Sequence, residues 1–141
     1  MHPRILLLAG LFFVATPCVA GPDWTAAEAA KATADGKVVL IDIRTPPEWR
    51  ETGYARGAKL INLQQTEAAF KAQILAVANG DKSTPIALIC RTGNRTTFAQ
   101  KALQADGFTN VYNVKEGMVG SAAGPGYIRH GLPLLVCKTE C

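Results

Sequence analysis

The chain has 141 residues and a formal net charge of +4, and 48% of its residues are hydrophobic. This length is enough for one compact domain with a buried core. The Lys and Arg residues are scattered and form no Arg-rich or aromatic stripe, which disfavours nucleic acid as a partner. The mild positive charge favours small anionic substrates.

The first twenty residues have the pattern of a secretory signal peptide. Arg4 gives a basic start, residues 5–15 are apolar, and residues 18–20 (Cys-Val-Ala) form a small-residue cleavage site. The apolar segment is shorter than the ~20 residues of a membrane span. We therefore expect cleavage after Ala20, no stable membrane span afterwards, and a periplasmic or secreted protein.

Cys18 raises the alternative of a lipid anchor at the same place in the chain. Pro17 directly before it, and Ala15 instead of a Leu three positions upstream, argue against that anchor. We expect residues 21–141 to form a single domain, with a core at about 25–134 and a short C-terminal tail that contains cysteines.

In the first half of this domain the patterns predict helices and strands in alternation. Thr25 to Glu28 has the capping-box pattern and begins a helix that ends at Gly36. The β-branched run Val38 to Ile43 predicts a strand, and Pro47 begins a short helix closed by Gly53. Two further predicted elements are a short strand over 58–63 and a helix over 66–78 that presents Phe70, Ile74, Leu75 and Ala78 on one face.

The second half contains the most informative stretch of the chain. Pro85 starts the apolar run Ile86 to Ile89, which is typical of a buried parallel strand and ends at Cys90. A tight turn follows, and then apolar residues at helical spacing: Phe98, Ala99, Ala102 and Leu103. A last strand is predicted over 111–114. The alternation predicts an α/β fold, a parallel sheet flanked by helices on both faces.

The position of Cys90 predicts a catalytic thiol. A cysteine between a buried strand and a helix N-terminus is surrounded by backbone N–H groups and faces the positive end of the helix dipole. This setting stabilises a thiolate and an anion attached to it. Because Asp42 and Arg44 also follow a predicted strand, we expect them at the same edge of the sheet.

These residues resemble those of the rhodanese family of sulfurtransferases over most of the chain, roughly 25–134. The first block is Leu40 to Arg44, continued by Glu48-Trp49 and by 53–58. The segment Cys90 to Arg95 resembles the active-site loop of the family, and 107–118 with 131–133 resembles its closing segment. Two departures concern the pocket wall: Tyr54-Ala55 stands where the family usually has His-Ile, and residues 119–123 lack its usual Trp.

The resemblance implies a sulfurtransferase with Cys90 as nucleophile and neither a cofactor nor a metal. Cys90 would take the outer sulfur of an anionic donor such as thiosulfate, and the resulting persulfide would pass it to cyanide or to a thiol, which includes the thiol of a protein. Arg91 and Arg95 are the candidates for binding the donor oxygens, since a guanidinium suits oxyanions. The other loop residues shape the turn: Thr92, Gly93 and Asn94.

We expect several residues near the site to be supports. Arg44 is predicted to pair with a carboxylate such as Glu48 and to brace the loop, with Asp42 beside it. Trp24 and Trp49 are predicted to be packing residues. His130 is expected to be a surface histidine without a partner, so no metal site is predicted there.

Two rival functions remain open. A cysteine phosphatase or arsenate reductase also uses a cradled thiolate, but these enzymes have five residues between Cys and Arg, and here four separate Cys90 from Arg95. The other rival is a non-catalytic sulfur carrier or rhodanese-like binding module. The tail cysteines fit either a small disulfide between Cys137 and Cys141 or a relay thiol that serves Cys90.

Overall fold

A computed structural model describes residues 22–139 and 141, so the predicted signal peptide lies outside the described residues. The strands are β1 (Asp23–Trp24), β2 (Val39–Asp42), β3 (Tyr54–Ala55), β4 (Lys59–Leu60), β5 (Ile86–Ile89), β6 (Val111–Val114) and β7 (Leu134–Leu135). The helices are α1 (Ala26–Ala34), α2 (Pro46–Thr52), α3 (Glu67–Val77) and α4 (Asn94–Ala105). No helix within this described part is long and apolar enough to cross a bilayer.

The main sheet has five strands in the order β1-β6-β5-β2-β4, and every neighbouring pair is parallel. The two short strands β3 and β7 pair antiparallel in a separate ribbon. In the main sheet Leu88 of β5 is level with Ile41 of β2 and with Asn113 of β6. The carboxyl ends of the central strands therefore meet at one edge, which is where open α/β sheets carry their sites.

Alternate residues of the central strands bury two separate cores. On one face Ile41 and Leu88 pack with Phe70 and Ile74 of α3 and with Leu103 of α4. On the other face Leu40, Ala87 and Ile89 pack with Ala26 and Ala29 of α1. This two-sided burial explains the uninterrupted apolar runs in the strand sequences, and it confirms the predicted parallel sheet with helices on both faces.

The helix ends follow local chemistry. Thr25 and Glu28 form the predicted capping box of α1, in which each side chain bonds to the other residue's backbone N–H. Gly53 ends α2 with φ +75°, and an added Cβ there would lie 2.6 Å from the Leu135 carbonyl oxygen. This close approach brings the end of α2 against β7.

The structure departs from the sequence predictions in three respects. The strands β1, β3 and β7 were not predicted, because two-residue strands leave no periodic pattern to detect. The strand predicted over 58–63 is shorter, Lys59–Leu60, although the N–H groups of Ile61 and Leu63 still donate to the carbonyls of Asp42 and Ile43. Phe98 belongs to α4 as predicted but is 74% exposed, so it does not contribute to the core.

Candidate active site

Cys90 follows the last residue of β5 at the carboxyl edge of the sheet and is fully buried. Its Sγ accepts a hydrogen bond from the backbone N–H of Gly93 at 3.2 Å. The Thr96 hydroxyl oxygen lies 3.5 Å from the same sulfur. The sulfur therefore lies inside the turn that joins β5 to α4, with a main-chain donor and a hydroxyl against it.

The turn depends on Gly93, which is the N-cap of α4. It has a left-handed φ of +86° and no side chain to cap the helix. The first N–H groups of any α-helix have no acceptor within the helix. In α4 these are the N–H groups of Asn94, Arg95 and Thr96, and Gly93 offers them no side-chain acceptor. They leave a positive helix end beside the sulfur. The Gly93 carbonyl accepts the hydroxyl protons of Thr96 at 3.0 Å and Thr97 at 2.8 Å, which ties this turn to the first turn of the helix.

Arg95 forms a two-point ion pair with Glu48 of α2. Nη1 donates to Oε2 at 2.8 Å and Nη2 donates to Oε1 at 2.5 Å. The Arg95 hydrogen bond is the largest of the effects that lower the pKa of Glu48 from its ordinary 4.5 to about 2. In return, hydrogen bonding by Glu48, and then the negative charges of Glu48, Cys90 and Asp42, raise the pKa of Arg95. Arg95 is thus held in place by the Glu48 carboxylate, and its positive charge is close enough to Cys90 to interact with it electrostatically.

Arg91 is held much less firmly. Its side chain is 46% exposed, and Nη1 lies 3.9 Å from an Oε2 atom of the exposed Glu51. A contact of this length between exposed groups contributes little to stability. Arg91 is therefore the more available of the two predicted oxyanion-binding arginines.

Asp42 and Arg44 form a fully buried ion pair at the end of β2. Arg44 Nη2 donates to Asp42 Oδ2 at 2.7 Å, and Nε donates to Oδ1 at 3.0 Å. The guanidinium also donates to the Thr52 hydroxyl and to the Gly53 carbonyl at the end of α2. These contacts fit the predicted supporting role. The predicted partner is wrong: Arg44 meets only the backbone carbonyl of Glu48, whose carboxylate binds Arg95.

His130 is not a lone surface residue, contrary to the sequence prediction. Its Nε2 lies 2.9 Å from a carboxylate oxygen of Glu116, which is buried. The sequence offered no signal for this pair, because the two residues are far apart and come together only when the chain after β6 folds back. No group of three or more His, Cys, Asp or Glu side chains that could hold a metal occurs among the described residues.

A cavity of about 390 Å³ adjoins the outer side of the Cys90 turn. It is lined by Thr92, Gly93, Asn94, Thr97, Lys115, Gly120, Ser121, Ala122 and Ala123. Residues 120–123 belong to the segment that departs from the family pattern. Small residues there leave open space beside the turn.

The structure brings Gly93 into contact with the Cys90 sulfur and lets Arg95 interact with it electrostatically, whereas the Arg91 side chain lies near Glu51. It also bonds Cys137 to Cys141, which leaves Cys90 as the free cysteine of the described residues. Glu48 is the site residue whose role the sequence analysis assigned wrongly, and Glu116 was missed. The spacing of Thr45 and Glu48 has the capping-box pattern, so the contact between these two residues has a local signal. The other partner of Glu48 is Arg95, which lies 47 positions away and has none.

Comparison with known proteins identifies the family of the chain. Residues 25–123 match the family model of the Rhodanese-like domain. Over 98 residues the chain is 31% identical to the uncharacterized protein RP600 of Rickettsia prowazekii (strain Madrid E), covering 67% of this chain and 80% of that relative.

Solved structures show the same fold. The crystal structure of Rv0390 from M. tuberculosis superposes with a TM-score of 0.63 at 26% identity, covering 83% of this chain and 98% of that one. The polysulfide-sulfur transferase homodimer from Wolinella succinogenes gives a TM-score of 0.58 at 23% identity and covers 86% and 82% of the two chains. With the family model matched over most of the described residues, the chain belongs to the Rhodanese-like domain family.

Proposed function

We propose that the protein is an exported sulfurtransferase that carries a sulfane sulfur as a persulfide on Cys90. The observation that carries this proposal is the position of the Cys90 sulfur inside the β5–α4 turn. Its Sγ lies 3.2 Å from the Gly93 nitrogen and beside the N-terminus of α4, which has no side-chain cap. A thiolate needs such donors, because burial away from water otherwise favours the neutral thiol. The similar fold of a protein described as a polysulfide-sulfur transferase supports the same class of reaction.

The reaction proceeds in two displacements. The Cys90 thiolate attacks the outer sulfur of thiosulfate, a sulfur–sulfur bond forms to Sγ, and sulfite leaves with the electron pair of the broken bond. In the second step a thiolate or cyanide attacks the terminal sulfur of the persulfide. The new bond forms to the acceptor, the bond to Sγ breaks, and Cys90 returns to the thiolate. This sequence gives ping-pong kinetics.

The residues around the turn divide these tasks. The N–H groups of the turn stabilise negative charge first on Sγ and then on the terminal sulfur. Arg91 binds the oxygens of the donor, since its guanidinium is exposed and only loosely paired. Arg95, paired with Glu48, adds a fixed positive charge near Cys90 and holds the start of α4 against α2.

A phosphatase or arsenate reductase is less well supported. Only four residues separate Cys90 from Arg95, so the ring suits one sulfur atom better than a tetrahedral oxyanion. In those enzymes the arginine binds the oxyanion, whereas the two-point contact with Glu48 already occupies the Arg95 guanidinium.

The test is sulfur transfer from thiosulfate to cyanide, combined with intact mass spectrometry of the purified protein. We expect turnover by the wild type and a species one sulfur heavier after treatment with thiosulfate alone. Cys90→Ser should abolish both, while the double variant Cys137→Ser/Cys141→Ser serves as the matched control that keeps Cys90 as the free thiol. A wild-type protein that takes up no sulfur from thiosulfate would refute the proposed reaction with this donor.

The same mass measurement separates the alternatives and tests export. A sulfur carrier would be isolated already loaded and would turn over thiosulfate poorly. We also propose that residues 1–20 are removed during export to the periplasm or the outside of the cell. The mass of protein recovered from that fraction should then correspond to a chain that begins at residue 21, and an uncleaved or lipidated mass would contradict this.

A further inference from the structure

The segment 115–119, which we name the strap, follows β6 and lies against the back of the Cys90 turn. The Met118 N–H donates to the Cys90 carbonyl at 2.9 Å, and the Val119 N–H donates to the Arg91 carbonyl at 3.1 Å. Gly117 is packed so closely that an added Cβ would lie 2.7 Å from the Thr92 nitrogen. The strap therefore fixes two consecutive peptide groups of the turn.

These two contacts determine where the N–H groups of the turn point. In a planar trans peptide the C=O and N–H bonds point in opposite directions. The Cys90 carbonyl shares its peptide with the Arg91 N–H, and the Arg91 carbonyl shares its peptide with the Thr92 N–H. Because both carbonyls accept hydrogen bonds from the strap, the Arg91 and Thr92 N–H groups are directed away from it.

The strap is itself anchored by the buried side chain of Glu116. One carboxylate oxygen accepts the N–H of Ala26 in the first turn of α1 at 3.0 Å. The other accepts the N–H of Gly126 at 2.8 Å and lies 2.9 Å from His130 Nε2. Burial raises the pKa of Glu116, but the N–H donors of Gly126 and Ala26, together with His130, outweigh it and hold the pKa below its ordinary value.

The chain that follows the strap reinforces this anchor. The Tyr127 N–H donates to the Gly117 carbonyl at 3.0 Å, and the Ile128 N–H donates to the Met118 carbonyl at 3.1 Å. An ionised Glu116 thus links three elements to the strap: the start of α1, the turn at Gly126 and His130. Replacing the Glu116 carboxylate by a neutral amide would loosen this anchor without releasing the strap, because an amide has one acceptor oxygen where the carboxylate bonds to Ala26, Gly126 and His130.

We propose that Glu116 is a positioning residue of the active site, which acts through the strap to hold the Arg91 and Thr92 N–H groups on the reacting sulfur. This inference rests on the proposed function, because those N–H groups matter for catalysis only if Cys90 carries sulfur. His130 is the solvent-accessible end of this anchor, because its side chain is 32% exposed whereas the side chain of Glu116 is almost completely buried.

The test compares Glu116→Gln with a matched control, Glu28→Gln. Glu28 is a carboxylate that caps the same helix, and its hydrogen bonds go to Thr25 alone. Both variants remove one negative charge from the N-terminus of α1, but only Glu116 is connected to the strap. Thermal unfolding of each variant sets a temperature at which both remain folded.

The first readout is the rate of Cys90 alkylation by iodoacetamide as a function of pH, with the label located by peptide mass spectrometry. For Glu116→Gln we expect the profile to move to higher pH by about half a unit to one unit, because the thiolate loses well-directed donors. The second readout is sulfur loading from thiosulfate, which we expect to slow about tenfold, since small displacements of positioned groups have effects of this size. Glu28→Gln should leave both unchanged.

The outcomes distinguish this inference from the proposed function. If Glu116→Gln alkylates like the wild type, or if Glu28→Gln moves the profile equally, the positioning role is wrong even where sulfur transfer is intact. If the profile moves as expected but the wild type takes up no sulfur, the positioning of the thiol holds and the sulfurtransferase assignment fails. Should Glu116→Gln not fold, His130→Ala replaces it: a smaller shift in the same direction supports the role, and no shift refutes it.

Discussion

Glu48 and Arg95 form a two-point ion pair that joins α2 to the first turn of α4, next to the thiol of Cys90. Their two nitrogen–oxygen distances are 2.8 and 2.5 Å, and both side chains are mostly shielded from water. The same Glu48 carboxylate also accepts the N–H of Thr45 at the start of α2. One carboxylate thus caps one helix and orients an arginine at the beginning of another.

The Glu48–Arg95 pair should make stability depend on acid pH. The pKa of Glu48 is about 2 in the folded protein and near its ordinary 4.5 when unfolded. The stabilisation is therefore complete above about pH 5 and is lost as the pH falls toward 2. We expect the difference in unfolding free energy between wild type and Glu48→Gln to be about 1–2 kcal/mol at neutral pH and to shrink toward zero as the pH approaches 2.

Urea unfolding across this pH range measures the difference. Glu67→Gln is the control, because Glu67 forms an ion pair with Lys71 one turn further along the same helix and its side chain is 70% exposed. We expect its effect to be small at every pH. A Glu48→Gln difference that stays constant between neutral pH and about pH 3 would contradict the assignment.

The two arginines of the turn should differ in kinetic effect. Arg91→Ala removes an exposed, loosely paired guanidinium, so we expect the KM for thiosulfate to rise about three- to tenfold with little change in kcat or stability. Arg95→Ala leaves the Glu48 carboxylate without its partner. It should lower stability by about 1–3 kcal/mol and reduce kcat. Steady-state kinetics and urea unfolding of both variants test this, and equal effects of the two substitutions would refute it.

Gly93 should not tolerate a side chain. Its φ is +86°, and an added Cβ would run into the Lys115 carbonyl, whose carbon would be only 2.9 Å away. We expect Gly93→Ala to cost about 3 kcal/mol from strain and overlap together and to abolish sulfur uptake. Gly80→Ala is the matched control, since Gly80 has φ +78° with open space around it. In thermal or urea unfolding, we expect Gly80→Ala to lower the free energy of unfolding by only about 1 kcal/mol.

The C-terminal disulfide should leave one reactive thiol. Cys137 is bonded to Cys141, and Cys90 is the free cysteine of the described residues. In protein without residues 1–20, alkylation under denaturing, non-reducing conditions should label one cysteine, and reduction should raise the count to three. A double variant with Ser at 137 and 141 should still load sulfur on Cys90. Loss of transfer to a thiol acceptor in that variant would instead favour the relay role of the tail.

Several features of the site could be predicted because they depend on neighbouring residues. An apolar run that ends at Cys90, followed by a glycine turn and a helical pattern, places a thiol at a helix N-terminus wherever the strand lies in the sheet. The partners of Arg44, Arg95 and His130 could not be predicted in this way. Several carboxylates were possible for each, and only the positions of α2 and of the chain after β6 select among them.

The sequence by itself determined the parallel α/β fold, the strand–turn–helix around Cys90 and the candidate nucleophile, because hydrophobic periodicity and turn chemistry act over a few residues. Only the tertiary structure decided that Glu48 binds Arg95 and that Glu116 anchors the strap behind the turn. Hydrogen bonds and ion pairs depend on distances below about 3–4 Å between atoms that belong to different elements. Those distances are set when the helices pack on the sheet, and no local pattern in the chain contains them.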